Sequence, residues 1–127
     1  VSDWAIGGRG EADLRALAAT PNIELRFSHV PEWSGGYIPF ARVEHLKYMV
    51  TDGEWLWLGT SNWEPSYWMS SRNLAVTLQH VPSARRAEGI FERSWNAPGA
   101  QPLTPGVKLV PRVHGETAPA GMKLYGE

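Results

Sequence analysis

Cysteine is absent from this chain. That excludes disulfide staples, a thiol nucleophile and thiolate metal sites, and it leaves the redox compartment unassigned. No apolar run approaches the ~20 residues needed to span a bilayer as a helix, so the sequence contains no transmembrane segment. Nor is there an excess of charge of one sign. Twelve Lys and Arg against thirteen Asp and Glu give a net charge of −1, which argues against a nucleic-acid footprint spread over the whole surface but not against a local basic pocket. Internal repeats and low-complexity tracts are missing too. What remains is an ordinary globular composition, 43% hydrophobic and 20% charged over 127 residues, enough for one domain with a true core.

The elements alternate as in an α/β domain. Val1–Ile6 reads as the end of a strand that opens in mid-course. Glu11–Ala19 reads as a short helix with Leu14, Leu17 and Ala18 on one face and Pro21 beyond its end. Ile23–Val30 alternates like a strand. A Gly/Pro loop over 31–41, PEWSGGYIPFA, carries three aromatics. Two strands, HLKYMVT and WLWLG, flank Asp52-Gly53, a strong hairpin signal, and a two-residue loop would set Thr60 across from His45. In that register Leu46, Tyr48 and Val50 share a face with Trp55 and Trp57, while His45, Lys47 and Met49 share the other. Leu74–Leu78 is a further strand. Ser83 is positioned to cap a helix running to Asn96, with Ala87, Ile90, Phe91 and Trp95 as its buried stripe. From Ala97 onward five of the ten prolines occur among glycines, which marks an irregular tail. Within it VKLVPRV can be an edge strand only, because Pro111 has no N–H for a central ladder.

The run His45-x-Lys47, four residues, Asp52, six residues, Gly59-Thr60-Ser61-Asn62 carries the chemistry. On a strand of period two, His45 and Lys47 leave the same face roughly 6.5–7 Å apart. That spacing suits a phosphate diester: the ammonium draws in the anion while the imidazole reaches phosphorus or the leaving oxygen. Thr60 and Asn62 add neutral donors at the same end of the hairpin. Asp52 falls at the turn, where a carboxylate commonly bonds loop backbone, so its role reads as structural.

These residues resemble the signature of the phospholipase D superfamily, HxK(x)4D(x)6GSxN, with Thr60 replacing the usual Ser and keeping its hydroxyl. The longer string HLKYMVTDGEWLWLGTSNW is most similar to the second motif of the subgroup that includes lumenal single-strand exonucleases and poxviral envelope and nicking proteins. The flanks VSDWAIGG, PNIELRF and IFERSWNAP agree, so the resemblance covers 1–98. It implies a phospholipase-D-like sandwich, a mixed β-sheet flanked by helices, over 1–98, with 99–127 as a Pro/Gly-rich tail packed on it.

It also implies phosphodiester hydrolysis through a phosphohistidine, with no metal or other cofactor. Members set two such motifs face to face; one His attacks phosphorus and the other protonates the leaving oxygen, and His45 in a second motif is expected to be the acid/base. Lys47 and Asn62 are this chain's share of the groups that hold the non-bridging oxygens, with Thr60 beside them. Many relatives place a Glu eleven residues after the motif Asn to orient the His ring; here that position is Asn73, an amide that cannot stabilise an imidazolium as a carboxylate does. His29, His80 and His114 lack a following Lys and Gly-Thr/Ser-x-Asn, so a second motif must come from an upstream part of the same polypeptide or from a homodimer mate. The opening of the chain in mid-strand favours the former. Six of the seven Trp divide: Trp55, Trp57 and Trp95 read as core, whereas Trp63, Trp68 and Trp33, with Tyr37, are candidates to line a substrate channel for bases or acyl chains. Three readings stay open at this point: a phospholipid-type phosphodiesterase, a single-strand exonuclease or nickase, and a non-catalytic binding remnant of the fold.

Overall fold

A computed structural model describes residues 1–41, 43–110, 117–123 and 125. The described residues form two compact units, 1–44 with 97–127 and 45–96, and the architecture is α/β in both senses: short antiparallel sheets with helices against them.

The first unit opens with Ser2 in a parallel bridge to Ser28, after which the chain turns into a 3-10 segment, Asp3–Ala5, instead of continuing the strand expected through Ile6. The turn is stabilised by its own side chains. Ser2 Oγ accepts the Trp4 N–H, and the Asp3 carboxylate, 1% exposed, accepts from His29 Nδ1 at 2.6 Å. Helix α1 spans Glu11–Ala18, close to expectation. Glu11 accepts the Gly7 N–H and pairs with Arg15 one turn on; these bonds, the backbone one first, hold its carboxyl below the ordinary value.

Strand β1 is only Arg26–Phe27, paired with β5, Gln101–Pro102. The longer strand expected over 23–30 does not form, because Asn22 takes a positive φ of 64° and Ile23 closes a turn on Thr20. Ile6, Phe27, Leu103 and Leu109 make the core of this unit, so the stretch after Ala97 contributes two of its buried side chains. Val107–Val110 carry no strand, and the rest of VKLVPRV lies outside the described residues, as does His114.

The second unit holds the hairpin. Strand β2, Tyr48–Thr51, pairs with β3, Trp55–Gly59, and β3 pairs in turn with β4, Ala75–Gln79. Helix α2 spans Pro65–Met69 and α3 spans Val81–Trp95. The latter starts two residues before Ser83, with His80 at the N-cap position; Ser83 Oγ and His80 Nδ1 share a hydrogen bond of 2.8 Å. Ala84 and Ala87 let α3 approach Leu56, with Tyr48 and Val50 against the same cluster, while Phe91 stacks on Trp95 at 5.2 Å instead of entering the core.

The hairpin register differs from the expected one by one residue. Asp52 and Gly53 both have positive φ, 54° and 65°, and the Glu54 N–H bonds Thr51 O, which is a type I′ turn. Glu54 is then left out of the ladder, its carbonyl accepting from His80 N–H, and pairing resumes at Thr51↔Trp55, Val50↔Leu56, Met49↔Trp57 and Tyr48↔Leu58. A slip of one residue moves every side chain to the other face. Trp55 and Trp57 therefore lie on the face of Met49, opposite the α3 side, and neither is core. Gly53 is needed in the turn: a Cβ there would stand 2.7 Å from the Arg85 guanidinium carbon at a left-handed backbone position. Gly53→Ala should lower stability by about 1–2 kcal/mol, measured by chemical denaturation, and an unchanged midpoint would contradict the turn assignment.

Candidate phosphodiester site

Four of the signature positions gather at the open end of this hairpin. The Gly59 N–H bonds Lys47 O at 3.0 Å, which extends the ladder by one pair beyond Tyr48↔Leu58 and sets Lys47 on the face of Met49 and Trp57. His45 lies two residues further, exposed and ahead of the strand. Its carbonyl accepts a 3.0 Å bond from Lys47 Nζ, so the ammonium folds back along the chain that carries the imidazole. On the returning side Thr60 is held from three directions: its N–H donates to Leu74 O at 3.0 Å, its hydroxyl accepts the Leu74 N–H at 3.1 Å, and the same hydroxyl donates to Asn73 Oδ1 at 3.2 Å. Ser61 is buried. Asn62 follows, half-buried, with Nδ2 donating to Glu64 Oε1 at 3.0 Å.

Asn73 is placed as a support for Thr60. Its amide also donates to Tyr67 O at 2.7 Å and Ser71 Oγ at 2.9 Å; its bonds thus tie the start of β4 to the loop after the motif, and none of these runs to His45. Asp52 sits at the other end of the ladder, in the turn, beside a cavity of about 470 Å³ lined by Tyr48, Met49, Val50, Gly53, Arg85 and Phe91 among others. The length of the β2–β3 ladder separates it from Thr60.

The aromatics separate differently from expectation. Trp63, 68% exposed, meets Trp57 edge to face at 6.0 Å and 69°. The Trp57 ring folds over Gly59, where a Cβ would come within 2.3 Å of it; glycine at this signature position leaves room for that ring. Trp68 is exposed on α2. Trp33 and Tyr37 belong to the first unit: Trp33 packs on Tyr125 at 5.4 Å, and Tyr37 is buried, with backbone bonds to Lys123 and Tyr125. Trp57 and Glu64 are the two neighbours of the motif that the sequence reading missed. The register slip hid Trp57, since both phases of WLWL are apolar. Glu64 lies two residues after Asn62, and the bend at Trp63 and Glu64 brings its carboxylate back to the Asn62 amide.

The family model described as "Cardiolipin synthase, PLD-like domain" matches residues 4–95. The chain belongs to the phospholipase D-like family. Among curated proteins, this phospholipase D-like chain is 37% identical over 92 residues to Phospholipase D Z of Dictyostelium discoideum, a match that covers 72% of the chain and 22% of that protein. It is 33% identical over 95 residues to 5'-3' exonuclease PLD4 of Homo sapiens, covering 66% and 19% respectively. It is 35% identical over 79 residues to the Virion nicking-joining enzyme of Vaccinia virus, covering 60% and 18%. The chain spans about a fifth of the length of the curated relatives it matches. Among the described residues no helix is long and apolar enough to cross a membrane, and no group of three or more His, Asp or Glu side chains is arranged to hold a metal ion.

Proposed function

We propose that this chain supplies one motif of a phospholipase D-like phosphodiesterase that works through a phosphohistidine, and that it is active only with a second motif. What supports the proposal is the unbroken signature spacing from His45 to Asn62, with Lys47 and Gly59 paired at the open end of the hairpin and Thr60 next in the chain. Histidine has a reference pKa near 6.5, which suits it to act as nucleophile, acid or base around neutrality. In the proposed reaction the histidine of the other motif attacks phosphorus, and His45 gives its proton to the leaving oxygen. His45 then takes a proton from the water that hydrolyses the P–N bond, so the phosphate ester is released and both histidines are restored. Lys47 and Asn62 hold the non-bridging oxygens as charge grows on the pentacoordinate transition state, and Thr60, fixed by Leu74 and Asn73, carries a hydroxyl nearby. Residues 1–98 are proposed as the catalytic half, with 99–127 as a tail packed on it through β5, Leu103 and Leu109, and the second motif comes from an upstream segment or from a second copy of the chain.

Within this reading a single-stranded polynucleotide is the favoured diester over a phospholipid, because the exposed Trp63 ring braced by Trp57 offers a surface on which a base can stack. Rates on a 5′-hydroxyl oligonucleotide and on phosphatidylcholine separate the two. No turnover of either by a polypeptide carrying both motifs would leave the non-catalytic remnant as the reading. The ammonium and amide stand in the place a metal takes in other phosphoryl-transfer sites, so chelator is expected to leave the rate unchanged. Loss of activity in chelator with recovery on added Mg²⁺ or Zn²⁺ would contradict that.

A further inference from the structure

Asn62, the amide assigned to a non-bridging oxygen, is already occupied by an anion of the chain's own. Its Nδ2 donates to the Glu64 carboxylate at 3.0 Å. Glu64 stands at the N-cap position of α2, with extended backbone at φ −142° and ψ 150°, yet its side chain makes no capping bond. The usual service of an acidic side chain at that position is to satisfy the orphan N–H groups of the first turn. Here the carboxylate turns away from the helix and back to the motif. It is exposed, so it moves without opening a core, and its charge is felt by any anion that approaches Asn62.

We propose that Glu64 is a charge filter on the phosphodiester site. Its carboxylate occupies the donor that a diester's non-bridging oxygen must take, and it selects monoanionic diesters over dianionic monoesters. This deepens the reading of the site given above and rests on it. The physical logic is Coulombic. A diester brings one negative charge and exchanges it for the carboxylate at Asn62. A monoester above its second ionisation, near pH 6, brings two charges and meets about twice the repulsion at the same distance. A phosphodiesterase that releases a monoester gains from this: the second charge also doubles the pull of Lys47, and Glu64 offsets that gain, so the product is held less tightly than it would be without Glu64. Glu64 thus acts as a specificity-determining and positioning residue that takes no part in bond breaking.

The test is binding, read on this chain by NMR at the Asn62 side-chain amide, with dimethyl phosphate as the monoanion and methyl phosphate at about pH 8 as the dianion. Glu64→Gln, which keeps an acceptor for Asn62 and removes the charge, should tighten methyl phosphate by about two- to fivefold more than dimethyl phosphate, the size of an exposed charge interaction. That difference should shrink at high salt, as a charge effect does and a structural one does not. Glu64→Ala should tighten both ligands, because Asn62 is then free.

An unchanged ratio of the two affinities in Glu64→Gln, with Lys47→Ala weakening both ligands in the wild-type background, overturns the filter and leaves the site standing. Lys47→Ala binding both ligands as wild type does, or neither ligand binding wild type or Glu64→Ala, overturns the phosphate site itself and the filter with it.

Discussion

Alone and monomeric, the 127-residue chain is expected to turn over no phosphodiester. The reason is the bonding at one nitrogen. A histidine that attacks phosphorus through a ring nitrogen is covalently bound to it in the intermediate, and it cannot in the same step deliver a proton to the leaving oxygen. Two histidines are needed, and the signature occurs once here, at His45. Without a positioned acid the leaving alkoxide departs unprotonated, and general acid catalysis alone is worth about 10²–10⁴ in rate; without the nucleophile there is no covalent route at all. Sedimentation establishes the monomer, and the same sample is assayed on a chromogenic diester. Turnover that scales linearly with concentration from a proven monomer would contradict the two-motif account.

The second large effect concerns the motif side chains once a second motif is supplied. His45→Ala should reduce turnover by about 10³-fold or more, since it removes the acid and then the base of the two half-reactions. Lys47→Ala should cost about 10²–10³-fold, the scale for a lost donor to a developing anion. Both residues lie at the open end of the hairpin. His45 is exposed, and the Lys47 ammonium bonds the His45 carbonyl, so both variants should fold as wild type does, with circular dichroism and denaturation midpoints unchanged. Asp52→Ala makes the contrast. Its effect belongs to the turn at the other end of the ladder, so stability should suffer more than turnover.

Much of this was legible in the residues. The signature spacing named the family, because a fixed pattern of residue types over eighteen positions is far more specific than any single residue. Helix α1, strand β4 and most of α3 followed from periodicity and from Pro and Ser at the boundaries. The register of the hairpin did not follow. Asp-Gly is a two-residue turn signal and the turn forms as it should, but Glu54 is drawn out of the ladder by the His80 N–H, a partner twenty-six residues away that no local pattern reveals. With apolar residues in both phases of WLWL, the hydrophobic pattern does not distinguish the two registers, and Trp57 falls on the face of Met49 and not on that of Tyr48 and Val50. The strand expected over 23–30 was shortened for a related reason: a turn at Asn22 and a non-local partner, Gln101–Pro102, set its limits. The spacing of Asn73 from Asn62 points to the His45 ring, yet its amide is engaged by Thr60, Tyr67 and Ser71, contacts made by a loop and a turn of helix that sequence spacing does not specify.

The site as a whole is a set of donors already partnered within the chain: Lys47 on the His45 carbonyl, Thr60 on Asn73 and Leu74, Asn62 on Glu64. Each of these partners is neutral except Glu64. Two of these bonds are already charge-assisted, Lys47 as an ionised donor and Glu64 as an ionised acceptor, so a diester that enters must take over Lys47 and displace the Glu64 carboxylate from Asn62.

The central claim, that His45 serves phosphodiester hydrolysis jointly with a second motif, is tested most directly by titration. A polypeptide bearing the second motif is held at fixed concentration with a chromogenic diester, and this chain is added, as wild type and as His45→Ala. The account predicts a rate that rises from background and saturates with wild type, and a flat line with His45→Ala at every ratio. Equal rates with the two, or a wild-type rate that rises without saturating and needs no second-motif partner, would contradict it.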